Sequence, residues 1–149
     1  MTRSVEARKG SPFSIRLSHA TDRFVSHEAQ RTRRSKSAVV EALTEEAARM
    51  QRYPGIGFRG SEAGRRAWLI GAGMDVWELI EAYGDFGSIE RMVAESDVAE
   101  AQIRLALAYW HEYPDEIEQA LAENRMPVTE ARELNPFVRY VDIDQILAG

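Results

Sequence analysis

The sequence predicts a mainly α-helical chain in two parts: a strand and two helices completed by a second copy of the chain, then a small β-hairpin and a compact helical cluster. Three observations carry this. A stretch near the N-terminus alternates apolar and polar residues with the period of a strand. Most later apolar residues recur at i, i+3, i+4 and i+7, the period of a helix with one buried face. The charge is also divided: residues 1–52 hold eleven of the nineteen Lys and Arg but six of the twenty-four Asp and Glu, a net of +5, whereas the remainder carries −10. A basic head on an acidic body suits a polyanion at one end and a cationic or protein partner at the other.

Residues 1–11 are polar, basic and patternless and read as a flexible arm. In residues 12–52, Phe13, Ile15 and Leu17 alternate with Ser14, Arg16 and Ser18, giving a strand with one dry and one wet face. From Thr21 the spacing of Phe24, Val25 and Glu28-Ala29 predicts a short helix, interrupted by Arg31-Thr32-Arg33-Arg34. Ser35 then caps a second helix with an apolar stripe of Val39, Val40, Leu43, Ala47 and Met50. Tyr53-Pro54-Gly55 closes this module, since proline disfavours helix at the preceding residue and glycine frees the turn.

Residues 53–125 form a second domain. Extended pieces at residues 56–58 and 67–70, separated by Gly60-Ser61-Glu62-Ala63-Gly64, predict a hairpin. Asp75, with Glu78 three residues on, caps a helix bearing Val76, Leu79, Ile80 and Tyr83, and Gly84-Asp85-Phe86-Gly87 stops it. Ser88 starts a short helix. Asp97 precedes another with Ile103, Ala106, Leu107 and Trp110 on one face, and Pro114 opens a further one. Residues 126–149 read as an irregular tail broken by Pro127 and Pro136, yet rich in apolar residues.

A lone strand leaves its backbone donors and acceptors without partners. Pairing it with its copy from a second chain satisfies them and buries Phe13, Ile15 and Leu17. The wet face then becomes a two-stranded ribbon of the width that enters a DNA major groove, where Arg16 can pair bidentately with guanine and Ser14 and Ser18 can meet other base edges. An alternative is a strand and helix pair folded onto the second domain.

The order of strand, short helix, turn and Ser-x-Ser helix resembles the ribbon-helix-helix repressors, on residues 13–18, Ser35-Lys36-Ser37 and Val39-Val40-Glu41-Ala42-Leu43. The resemblance implies that backbone N–H groups at the start of the second helix, around Ser35, Lys36 and Ser37, clamp a phosphate, with Arg33, Arg34 and Lys36 adding phosphate contacts. One departure is that the family often has glycine in the turn, where this chain has Thr32-Arg33-Arg34.

Residues 53–124 resemble a family of small domains found in predicted antitoxins of type II toxin–antitoxin systems. The resemblance lies in Tyr53-Pro54-Gly55-Ile56-x-Phe58, Gly64-Arg65-Arg66, Asp75-Val76-Trp77-Glu78, Tyr83-x-x-Phe86-Gly87 and Ala106-Leu107-Ala108-Tyr109-Trp110. It implies a helix-turn-helix core, sometimes with a winged hairpin, and a toxin partner of the PIN-type ribonuclease class. The candidate recognition helix begins among Glu95, Asp97 and Glu100, the wrong charge for phosphates, so the body reads as a dimerising platform rather than a second DNA reader. Trp77, Trp110, Tyr83 and Phe86 read as core. In the tail, Arg132, Phe137, Arg139, Tyr140 and Val141 are the expected toxin-binding residues, with a cation delivered to the toxin's carboxylate cluster.

The sequence offers no catalytic constellation: His19, His27 and His111 are scattered, cysteine is absent and Gly71-Ala72-Gly73 lacks the setting of a dinucleotide fingerprint. The expectation is a non-enzymatic, cofactor-free, metal-free cytoplasmic homodimer that binds operator DNA, autoregulates its operon and neutralises a PIN-type toxin, with no membrane partner. A dimeric regulator without a toxin and an oligomeric adaptor that does not bind DNA are the alternatives.

Overall fold

Serine hydroxyls set the two helices of the head. The structure is a computed structural model that describes residues 10–134 and 136, and the chain divides within its second helix into residues 1–45 and 46–149. Helix α1 spans His19–Thr32. Its N-cap is Ser18, whose Oγ accepts the Thr21 N–H at 3.3 Å and donates to Thr21 Oγ1 at 3.0 Å. The helix therefore starts before Thr21, because a serine in extended conformation satisfies an N–H that would otherwise lack a partner. Helix α2 spans Lys36–Arg52, and the predicted cap forms: the Ala38 N–H donates to Ser35 Oγ at 3.1 Å.

The head buries Val25, Ala29 and Val39, with Leu17 and Val40 packed against them. The expected strand over residues 13–18 is not formed: those residues join no ladder among the described residues, and a strand exists only as a member of one. Leu17 is half-buried, but Phe13 and Ile15 are 83% and 52% exposed. The stripe expected on α2 also holds only in part. Val39 is buried, whereas Leu43, Ala47 and Met50 are exposed. Within residues 46–149, Glu46, Arg49 and Tyr53 are half-buried instead, because ion pairs and aromatic contacts hold that face against the body.

In the body, β1 (Ile56–Arg59) and β2 (Arg66–Leu69) pair antiparallel with Ile56 opposite Leu69, Gly57 opposite Trp68, Phe58 opposite Ala67 and Arg59 opposite Arg66. Alternation sends Ile56, Ala67 and Leu69 into the core. Gly57 is required where it stands: a Cβ there would lie 2.8 Å from Trp68 Nε1 and 3.2 Å from the Ile70 side chain. The residue pair Arg59 and Trp68 stacks across the strands, with the guanidinium 4.9 Å from the ring centroid.

Helix α3 (Val76–Phe86) follows the N-cap Asp75, whose backbone N–H donates to Glu78 Oε2 at 2.6 Å. It runs through Gly84 and ends at Gly87, which takes the left-handed conformation at φ 78° that lets the chain turn away. Ser88 caps α4 (Ile89–Glu95) by accepting the Arg91 N–H at 3.1 Å. Helix α5 (Glu100–Glu112) begins after Ala99 rather than Asp97, with Gln102 Oε1 accepting the Ala99 N–H at 3.1 Å. Pro114 opens α6 (Pro114–Asn124) as predicted. These helices and the hairpin enclose Leu69, Val76, Leu79, Ile80, Met92, Ile103, Ala106, Tyr109, Ile117 and Leu121, and Trp77, Tyr83, Phe86 and Trp110 pack on that cluster.

Residues 128–134 depart from the predicted irregular tail by forming α7 (Val128–Leu134). Pro127 sits just before its first turn, where its missing N–H is no loss, and its carbonyl accepts the Ala131 N–H at 3.0 Å. Among the described residues the chain is thus mainly helical, with seven α-helices and one two-stranded antiparallel sheet. No helix of these residues is long and apolar enough to cross a membrane.

Candidate nucleic-acid interface

The turn between α1 and α2 gathers most of the predicted DNA-contacting residues. Arg33, Arg34, Ser35, Lys36 and Ser37 are consecutive and exposed, and Ser14 and Arg16 are exposed on the extended segment ahead of α1. Ser18 is engaged as the α1 cap, so its hydroxyl is committed to Thr21. Lys36 Nζ pairs with Asp22 at 2.5 Å, and Arg34 Nε donates to Thr32 Oγ1 at 3.1 Å. Arg31 pairs with Glu28 at 2.7 Å, and that hydrogen bond holds the Glu28 carboxyl below its ordinary range. The first turn of α2 carries no acidic residue, so its free N–H groups and the positive end of its dipole meet no carboxylate of their own.

The body holds a polar cluster with no local sequence signature. Arg49 of α2 donates to Tyr109 Oη of α5 at 2.9 Å and to Glu116 Oε2 of α6 at 2.7 Å, while Tyr109 donates to Glu116 Oε1 at 2.5 Å. The Arg49 guanidinium lies 3.8 Å from the centroid of the Tyr113 ring, and Tyr53 meets Tyr109 edge-on at 5.5 Å. Burial pushes the Tyr109 hydroxyl far above its ordinary pKa, and the Glu116 carboxylate adds to that. Burial opposes the Arg49 charge, but the hydrogen bonds to Glu116 and Tyr109 outweigh it and hold the guanidinium protonated. Two further ion pairs lie beside this cluster: Arg65 with Glu46, and Arg52 with Glu112 at 2.9 Å.

The hairpin arginines are not free for a ligand either. Arg65 also donates to the carbonyl of Gly60 at 2.9 Å, and Arg59 Nε donates to the buried Asp75 carboxylate at 2.8 Å. A cleft lined by Phe58, Arg66, Trp77, Glu116 and Ile117 has a volume of about 80 Å³. That is well below the roughly 300 Å³ at which small-molecule sites begin. No group of three His, Asp or Glu among the described residues could hold a metal ion.

Of the residues expected to touch a toxin, Arg132 lies exposed on α7, and Phe137, Arg139, Tyr140 and Val141 lie outside the described residues. Comparisons with protein families, with curated proteins and with solved structures found no match to this chain.

Proposed function

We propose that the chain is an antitoxin-type regulator: its head pairs with a second copy through residues 13–18 to bind operator DNA, and its C-terminal tail, residues 126–149, engages a PIN-type ribonuclease toxin. One observation carries the head's part. Among the described residues, Phe13 and Ile15 are exposed beside a buried cluster of only Val25, Ala29 and Val39, supported by Leu17 and Val40. So few buried side chains are too small a core for a free-standing module, and a strand with one apolar face is a ready template for its own copy. The basic turn and the acid-free start of α2 support a polyanion as the ligand. On this reading the α3–α6 cluster serves as a helix-turn-helix-like platform. Arg104 on α5 is paired with Glu100 at 2.7 Å, which argues against that helix as a second DNA reader. The toxin's identity as a PIN-type nuclease rests on the sequence resemblance alone.

A second reading, a dimeric adaptor that does not bind DNA, is favoured by the Lys36–Asp22 pair and by the use of Ser18 as a helix cap. Retention on the duplex upstream of the chain's own coding sequence, titrated with salt, separates the two. The regulator reading expects binding that weakens steeply with salt and an Arg16→Ala loss of about 1–3 kcal/mol. Absence of binding at low salt by a dimeric protein selects the adaptor. Co-purification with the product of the neighbouring reading frame tests the antitoxin part.

A further inference from the structure

We infer that the cleft between the hairpin and α6 is the seat of the chain's own C-terminal segment, with the Ile143 side chain in the apolar slot and the carboxylates of Asp142 and Asp144 at its cationic rim. This goes beyond the function proposed above and does not rest on it. Phe58 of β1, Ala67 of β2, Trp77 of α3, and Ile117 and Ala120 of α6 make the apolar wall. Arg65, Arg66 and Glu116, all exposed, complete the lining as its rim. Glu116 is committed, since its Oε2 accepts from Arg49 at 2.7 Å and its Oε1 from Tyr109 at 2.5 Å. Arg65 is paired with Glu46. Arg66 approaches Glu123 only to 3.9 Å, beyond hydrogen-bond length, and its guanidinium has no other partner among the described residues. The least satisfied charge on the rim is therefore positive, and it favours an occupant that brings carboxylates.

The volume selects the anchor. An apolar cavity of roughly 150 Å³ takes a benzene ring, so a slot of about 80 Å³ takes an aliphatic side chain and excludes an aromatic one. Residues 137–149 lie outside the described residues, and their sequence offers Val138, Val141, Ile143, Ile146 and Leu147 as aliphatic anchors. Of these, Ile143 alone stands between two carboxylates, Asp142 and Asp144. The chain is long enough to deliver it. Even with α6 and α7 in line, Leu134 is at most about 30 Å from Ala120, and the stretch from Leu134 to Ile143 spans about 30 Å when extended. Tethering decides whose segment fills the slot: a single anchor too weak to hold a separate chain is retained when a short linker keeps it at an effective concentration on the order of millimolar.

The test uses the full-length chain, which has no cysteine of its own, isotope-labelled for NMR and carrying a nitroxide through Gln145→Cys. Docking is expected to broaden the Ala120 amide and Trp77 indole N–H signals. Ile143→Ser should abolish that broadening. Arg66→Glu should weaken it, and Asp142→Lys with Asp144→Lys in the same chain should restore it. Unchanged signals from the buried residues Leu79 and Ile103 show that each variant is folded. Sharp Ala120 and Trp77 signals in the folded parent overturn the inference, and so does broadening that survives Ile143→Ser. Equal broadening of isotope-labelled chains mixed with unlabelled, nitroxide-bearing chains assigns the segment to a second copy and overturns it as well. No arm contains DNA or a toxin, so each of these outcomes leaves the regulator reading to its own experiments.

Discussion

Arg49 and Glu116, separated by 67 positions in sequence, meet at 2.7 Å and share the buried Tyr109 hydroxyl between them. The pair ties the last turns of α2 to α5 and α6. With side chains 18% and 39% exposed, the pair is more protected than an ordinary surface bridge but not fully dry. Arg49→Ala removes the donor to Tyr109 Oη and to Glu116 Oε2, leaves Glu116 with the Tyr109 hydroxyl, and removes the cation stacked on Tyr113. A loss of about 2–3 kcal/mol is expected by urea unfolding, below the range for fully buried pairs because water reaches Glu116. A loss under about 0.5 kcal/mol would mean that the pair behaves as a solvated one.

Tyr109 links this cluster to alkaline pH. Its folded pKa is raised above the unfolded value of about 10, so the hydroxyl is neutral in both states below that pH and its contribution is fully present there. Above it the unfolded chain loses the proton first, and stability falls by up to about 1.4 kcal/mol per pH unit until the folded pKa is reached. Unfolding curves collected on both sides of pH 10 should show this decline in the parent and a shallower one in Tyr109→Phe. Equal declines would remove Tyr109 as its source.

The same contacts move the usable boundary of the body. A fragment starting at Thr44 keeps Glu46, Arg49 and Arg52, whereas one starting at Tyr53 leaves Arg65, Tyr109, Glu116 and Glu112 without those partners. The shorter fragment should be less stable by about 3 kcal/mol or more. Circular dichroism melts of the two fragments check this, and matching melting temperatures would return the boundary to Tyr53-Pro54-Gly55.

For the head, Ile15→Asp places a charge on the face proposed to meet a second copy. Because Ile15 is 52% exposed, the change costs little within one chain, and its effect falls on association. Sedimentation is expected to find the parent as a dimer and the variant as a monomer at the same concentration. A variant that remains dimeric places the contact elsewhere.

Features set by neighbours within one turn were legible in the sequence. Ser35, Ser88, the Asp75–Glu78 cap, Pro114 and both hairpin strands stand where residue type and spacing put them. Caps and tight turns are local chemistry, so a single sequence exposes them. The α2 face was not legible, because apolar spacing marked Leu43, Ala47 and Met50 while the body takes Glu46 and Arg49 through ion pairs and a tyrosine ring. An arginine with aliphatic stem and planar head can fill a half-buried position that a hydrophobicity pattern assigns to solvent. The strand over residues 13–18 belongs to a third kind: its pattern is plain, but a ladder needs a second strand that this sequence does not encode within the head. Among the proposed contact residues, sequence alone gave Arg33 and Arg34 equal standing. Only the backbone angle at Arg33 and the Arg34–Thr32 hydrogen bond separate them.

Trp68, Trp77 and Trp110 all belong to residues 46–149, and the sequence has three tryptophans. Indole fluorescence therefore watches the body and is blind to the head, whereas far-ultraviolet dichroism registers α1 as strongly as α3. Any gap between the two optical transitions during unfolding measures the independence of the two parts directly, with no label or substitution needed. Ligands of the head should shift the dichroism curve while leaving the emission curve in place, unless the two parts unfold together.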